Sequence, residues 1–191
     1  MKSKYVKTKR DECTEKYPCV IFDLDGTLAD VTMRRDVADH AKFSSQPPPK
    51  VYGESYHKYN KRKERHHQDM WWKRWQDPEV IMTDKPNTHV VSICKLMKEF
   101  MGCAIIITSA RTAKNMTVTK EWLAKYNIYY DELFMRPEGD FTPDNIFKKR
   151  ILDKFILPKY EVLMAFDDRN QVVKMWRDND IPCLQVADGD F

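Results

Sequence analysis

Short apolar runs, several of them rich in Val and Ile, recur along the chain. Each is followed by residues with helical spacing, and this alternation limits the fold more than any other feature. The runs cover 18–22, 103–108, 132–135, 162–166 and 182–186. Between them the spacing predicts a helix ending near residue 41, then helices over 55–76, 88–101, 113–126, 144–155 and 170–178. Apolar strands of this kind are buried on both faces. Strand–helix alternation builds a parallel sheet with right-handed crossovers. The expected class is α/β, a central parallel sheet flanked by helices. A chain of 191 residues can bury such a core without a disulfide or metal staple.

Composition narrows the choice further. Five Gly and ten Pro exclude collagen-like and Pro/Gly-rich disordered classes. The longest apolar runs are strand-sized, so no membrane span is expected. Residues 1–17 are a polar, basic lead-in whose start lacks the apolar core of a secretory signal. A cytoplasmic location is therefore expected, the host cytoplasm for a viral chain. Cys13, Cys19, Cys94, Cys103 and Cys183 form an odd, scattered set with no Cys-x-x-Cys pair, so reduced thiols are expected rather than zinc or disulfides.

The net charge of +4 is unevenly placed. Residues 50–74 hold eight Lys and Arg against three Asp and Glu, together with Tyr52, Tyr56, Tyr59, Trp71 and Trp72; Trp75 follows. Basic residues interleaved with aromatics can track a nucleic-acid backbone and stack on bases. The alternative is a solvated helical face whose aromatic side packs inward. His57, His66 and His67 have no metal-ligand spacing and read as surface residues. Trp122, Trp176, Met97 and Met101 read as packing residues.

The strand ends carry the chemistry. Ligands of open parallel sheets sit beyond the carboxyl ends of the strands. Here those ends hold Asp23 and Asp25, then Thr108, Ser109, Ala110 and Arg111, then Asp167, Asp168 and Arg169. Side chains two residues apart in extended chain point the same way, so Asp23 and Asp25 can converge, and Gly26 permits a sharp turn after them. Four carboxylates gathered there repel unless a cation lies among them, and hard oxygen ligands suit Mg²⁺. A strand-end hydroxyl, backbone amides and Lys148 add an anion site. Together these describe phosphoryl transfer through an aspartyl phosphate.

Asp23-Leu24-Asp25-Gly26-Thr27, Ser109, Lys148 and Asp167-Asp168 follow one another in the order of the four motifs of the haloacid dehalogenase (HAD) phosphatases, which the chain resembles. The resemblance implies a Rossmann-like HAD fold with a small helical cap insertion. It also implies Asp23 as nucleophile and Asp25 as the acid that protonates the leaving oxygen and later deprotonates water. Mg²⁺ would be held by Asp23, the backbone carbonyl of Asp25 and Asp167, with Asp168 beside it. Thr27, Ser109, the Ala110 amide and Lys148 would face the phosphate.

Residues 166–177 and 183–191 further resemble the C-terminal phosphatase domain of the polynucleotide kinase-phosphatases of T-even phages. That likeness covers 18–35 and 77–191 as phosphatase core and leaves 36–76 as a helical, cap-like insertion. It implies removal of 3′-phosphates, and of 2′,3′-cyclic phosphates, from polynucleotide ends during nucleic-acid repair. Arg34, Arg111 and Asp144 fall at active-site positions of that family. Taken by themselves, Arg34 and Arg111 also read as ion-pair partners of Asp30, Asp36 or Asp144. No Gly-x-x-x-x-Gly-Lys-Ser/Thr loop occurs, so no 5′-kinase activity is expected and a separate kinase or ligase is the expected partner. The alternative substrate is a free nucleoside monophosphate, its base stacked by Trp71, Trp72 or Trp75.

Overall fold

The computed structural model describes residues 16–189. The basic lead-in through residue 15, with Cys13, and the last two residues lie outside the described range. Strand β1 (Tyr17–Asp23) leads into a tight turn and the short β2 (Ala29–Asp30). Helices α1 (Thr32–Ser44), α2 (Tyr56–Trp75) and α3 (Pro78–Ile81) follow, and the chain returns through β3 (Lys85–Pro86). The order then runs α4 (Thr88–Glu99), β4 (Ala104–Thr112), α5 (Met116–Lys125), β5 (Glu132–Arg136), α6 (Asp144–Ile151), β6 (Tyr160–Asp167), α7 (Asn170–Arg177) and β7 (Cys183–Gln185).

Five strands form one parallel sheet in the order β5-β4-β1-β6-β7, with β1 at its centre. This is the α/β, Rossmann-like arrangement that the strand–helix alternation predicts. Successive residues of β1 and β4 feed opposite sides of the sheet. Val20, Phe22, Ile105 and Ile107 pack with Trp122 and Leu123 on one side. Cys19, Ile21, Ala104 and Ile106 pack with Phe147, Leu152 and Trp176 on the other. Phe22 and Phe166 stack across β1 and β6, ring centroids 4.6 Å apart. Both faces are covered, which is why these strands read as continuous apolar runs.

The chain leaves this core at β2 and returns at β3, and the two pair antiparallel, Ala29 with Pro86 and Asp30 with Lys85. The α1–α3 helices hang from that ribbon. Asp30 precedes the Val31 cap of the first of them, its carboxylate accepting from the Thr32 amide at 3.0 Å and hydroxyl at 2.6 Å. Ser55 caps α2, its hydroxyl accepting from the Lys58 amide at 3.3 Å. Helix α1 crosses the boundary expected between residues 35 and 36, so Arg34 lies inside a helix that continues into the insertion.

Several expectations shift in detail. The helix expected over 144–155 is α for two turns and then widens into a π turn, Leu152–Ile156, keeping Leu152 and Ile156 fully buried while Phe155 is exposed. Helix α4 stops at Glu99, which leaves Met101 exposed; only Met97 packs against the core. His66 and His67 are half-buried, on the side of α2 that carries Met70 and Arg74, rather than at the surface. Cys19, Cys94, Cys103 and Cys183 are free and buried, and burial pushes Cys19, Cys94 and Cys183 to about 12, so those thiols stay protonated. No helix among the described residues is long and apolar enough to cross a membrane.

Ile106 is completely buried in the second core between β1 and β5. Ile106→Ala is expected to destabilise the fold by about 3 kcal/mol through lost transfer energy and a residual cavity. Equilibrium unfolding in urea measures this as a lower midpoint at unchanged slope.

Candidate active site

Three carboxylates converge where β1 and β6 end side by side. Asp23, Asp167 and Asp168 are all buried, and each offers an oxygen within 4.8 Å of the others. Lys148 rises from α6 to meet them: its Nζ donates to Asp23 Oδ1 at 2.6 Å and to Asp167 Oδ2 at 2.7 Å. Trp176 on α7 adds an indole N–H to Asp167 Oδ2 at 3.2 Å. One ammonium therefore faces three carboxylates in a dry place. Burial raises the Asp23 carboxyl well above its usual range, Lys148 opposes this, and Asp167 and Asp168 add to it. Burial, reinforced by Asp167, pushes Asp168 up to about 6. Burial alone would lower Lys148, yet Asp167 and Asp23 raise it above its ordinary value. The excess negative charge and the all-oxygen donor set fit a hard divalent cation such as Mg²⁺.

The turn after Asp25 depends on Gly26, whose φ is +89°. Its amide donates to the Ala29 carbonyl at 2.8 Å, and the Ala29 amide returns to the Leu24 carbonyl at 2.8 Å. A Cβ on Gly26 would lie 2.1 Å from Asp168 Oδ2, so both the backbone angle and the packed carboxylate exclude a side chain. Thr27 is buried with its hydroxyl toward Asp168 Oδ1, 3.4 Å away.

Asp25 points to a second cluster. Arg111 Nε and Nη2 donate to Asp25 Oδ1 at 2.8 and 2.5 Å, and Arg34 Nη2 donates to the same oxygen. Both guanidiniums also reach Asp84 Oδ2, at 3.0 Å for Arg111 and 3.1 Å for Arg34. Burial would raise Asp25, but Arg111 and Arg34 outweigh it and hold the carboxyl far below its usual range. Neither arginine pairs with Asp30, Asp36 or Asp144, the partners their positions in the sequence offered. The reason lies in the return of the chain to β3, which brings Asp84 to the site fifty residues after Arg34 and twenty-seven before Arg111. Arg34 is fully buried, and its Nε and Nη1 have no hydrogen-bond partner among the described residues.

The remaining expected residues surround these clusters. Ser109 is buried in β4, three residues before the strand ends at Thr112 rather than at the strand end expected near residue 108, its hydroxyl accepting from the Arg111 amide at 3.2 Å. The Ala110 carbonyl accepts from Arg136 Nε at 3.2 Å. Asp144, in the first turn of α6, pairs with Arg136 and Arg169. Asp84 and Arg136 belong to no motif, and sequence reasoning missed them; Arg169 stood among the strand-end residues with no role assigned. Arg169 had a positional signal, directly following the acidic pair. Asp84 had none, since Asp84-Lys85-Pro86-Asn87 reads only as a connection. Trp122, expected as packing, also donates its indole N–H to the Asp84 carbonyl at 2.9 Å.

Two outcomes test this geometry. Asp84→Ala would leave two buried guanidiniums sharing one carboxylate, and a loss of about 3–5 kcal/mol is expected in urea unfolding, with Asp84→Asn losing less. Gly26→Ala is expected to displace Asp168 and weaken Mg²⁺ binding, measured by calorimetric titration.

Known proteins can be set beside this geometry. The family model of the polynucleotide kinase PNKP phosphatase domain matches residues 66–191, a span that includes Ser109, Lys148 and Asp167 and begins after Asp23 and Asp25. An Autographa californica nuclear polyhedrosis virus protein, named as a bifunctional polynucleotide kinase/RNA ligase, is 33% identical over 105 residues, 54% of this chain and 15% of that protein. A solved Pnkp1/Rnl/Hen1 complex contains a chain with 32% identity and a TM-score of 0.65, covering 99% of this chain and 52% of that one. A haloacid dehalogenase-like hydrolase from Streptococcus pneumoniae shares the fold at 14% identity, with a TM-score of 0.61 over 88% of this chain and 84% of that one. The chain thus spans about half the length of the matched chain of that complex and a smaller part of the viral protein.

Proposed function

We propose that this chain, which belongs to the polynucleotide kinase PNKP phosphatase-domain family of HAD phosphatases, hydrolyses phosphomonoesters at polynucleotide 3′ ends. The observation that carries the reading is the pairing of a carboxylate trio around Lys148 with a second, separately held carboxylate, Asp25. Enzymes that transfer a phosphoryl group to water through an aspartyl ester need one carboxylate to attack and another to handle protons.

In the first half-reaction an Asp23 carboxylate oxygen attacks phosphorus. The bond from phosphorus to the 3′ oxygen breaks, and Asp25 supplies the proton that this oxygen takes. In the second, Asp25 removes a proton from water, which attacks the phosphorus and returns Asp23 as a free carboxylate with inorganic phosphate. Arg34 and Arg111 keep Asp25 ionised in the free protein, the form that the water step needs. The acid form requires both guanidiniums to loosen, and an anionic substrate drives this by competing for them. Ser109, the Ala110 amide and Lys148 orient the phosphoryl oxygens. Asp23, Asp167, Asp168 and the Asp25 backbone carbonyl would hold Mg²⁺, which when bound offsets the crowded carboxylate charge and polarises the phosphoryl group. Asp144, fixed by Arg136 and Arg169, lies on the same helix as Lys148 and shapes the substrate side.

Residues 36–76 act in this reading as a cap over the site, and 2′,3′-cyclic phosphate is a further substrate. The matched chain was solved in a complex named for three components, which supports a separate kinase or ligase as partner here. Free nucleoside monophosphates are the second reading, favoured by the half-exposed Trp72, a ring that could stack on a single base.

Release of phosphate from 3′-phosphorylated oligonucleotides is expected to exceed release from free nucleoside monophosphates; the reverse preference selects the second reading. Asp23→Asn is expected to lose at least about a thousandfold in kcat. Chelation of divalent cations is expected to abolish turnover, with recovery on adding Mg²⁺.

A further inference from the structure

A line of rings runs outward from Asp25. Arg34, bound to Asp25, lies over the Trp75 ring at 4.2 Å; Trp75 stacks on Trp71 at 4.9 Å; Trp71 meets Trp72 edge-on at 5.0 Å. The Trp71 indole N–H donates to Asp39 on α1 at 2.7 Å, which fixes the group against its neighbouring helix. Trp72 is 49% exposed at the outer end of the line.

The same helix carries charge along that exposed side. Lys58, Lys61, Arg65 and Trp72 follow at intervals of three, four and seven residues, which places them on one face of α2, and all four are exposed. The opposite face, with Tyr59, Lys63, His66, Met70 and Arg74, is half-buried. Arg62 and Arg74 are tied to Glu54 and Asp77. Lys61 and Arg65 have no ion-pair partner among the described residues, and Lys58 lies in the field of Glu54, which is itself bound to Arg62. Asp69 shares this face, yet three exposed cations in line with a half-exposed tryptophan that touches the site's own ring system leave it net positive.

We propose that this face of α2 is a track for the single-stranded segment leading to the 3′ end, with Trp72 stacked on a base and Lys58, Lys61 and Arg65 set against backbone phosphates. The proposal rests on the polynucleotide reading above and adds where the rest of the substrate lies. From Lys58 to Trp72 the helix rises about 21 Å, room for several nucleotides. A single strand is specified because bases paired in a duplex already stack on one another and offer Trp72 no free face.

The test is binding of fluorescent 3′-phosphorylated oligonucleotides of increasing length to the full chain, followed by anisotropy with chelator present and repeated across a range of salt. Affinity is expected to rise with length and then level off. Each phosphate contact in a single strand contributes a slope of about 0.7 in log K against log salt, so the combined Lys58→Ala, Lys61→Ala and Arg65→Ala variant is expected to lose about 2 from that slope. Trp72→Ala is expected to weaken binding roughly tenfold. Circular dichroism matching the unsubstituted chain shows that both variants fold. An unchanged slope and affinity in the triple variant, or equal affinity for a blunt duplex, would overturn the track. Phosphate release by the unsubstituted chain with Mg²⁺ is followed in parallel. Release together with an unchanged slope removes the track alone, whereas no release from any 3′-phosphorylated oligonucleotide removes the function beneath it.

Discussion

A buried ammonium between two buried carboxylates holds this site together. Lys148 joins the end of β1, through Asp23, to the end of β6, through Asp167, and it does so from a helix on the far side of a crossover. Each charge alone would be costly to bury, and the arrangement is tolerable only because every member has an oppositely charged or hydrogen-bonding neighbour. The trio nevertheless stays over-supplied with negative charge. That residue of unfavourable energy is what a divalent cation held by these carboxylates would relieve.

A second buried network stands apart from the first and serves a different end. Arg34, Arg111, Asp25 and Asp84 interlock as two guanidiniums and two carboxyls, and burial pushes Asp84 up to about 7. Asp23 and Asp25 are two residues apart, yet their surroundings drive them in opposite directions. Desolvation and like charge raise the one; paired guanidiniums lower the other. Separation of this kind is how two chemically identical side chains come to take different parts in one reaction.

The helical insertion links both networks to the outside. Arg34 lies just before its start and Asp84 a few residues after its end, while Trp75, within it, packs on Arg34. A segment flanked on both sides by buried charge, and packed through Trp75 on one of those charges, is no appendage to the core. Its geometry and the Asp25 carboxylate are mechanically joined through Arg34.

Much of this was legible along the chain. The apolar runs, the β1 turn at Gly26, and the placing of Asp23, Asp25, Ser109, Lys148 and the Asp167–Asp168 pair at or near strand ends or on a helix follow from local patterning. Periodicity and turn chemistry act over a few residues, and they act here without conflict. The pairing of Arg34 and Arg111 with Asp84, the tie of Asp144 to Arg136 and Arg169, and the half-burial of His66 and His67 were not legible. Each depends on which distant segments the sheet order and the insertion bring together. The sequence alone determined an α/β sheet with acidic strand ends; only the tertiary structure decided which charges neutralise which, because burial makes a charge's partner a matter of space rather than of order along the chain.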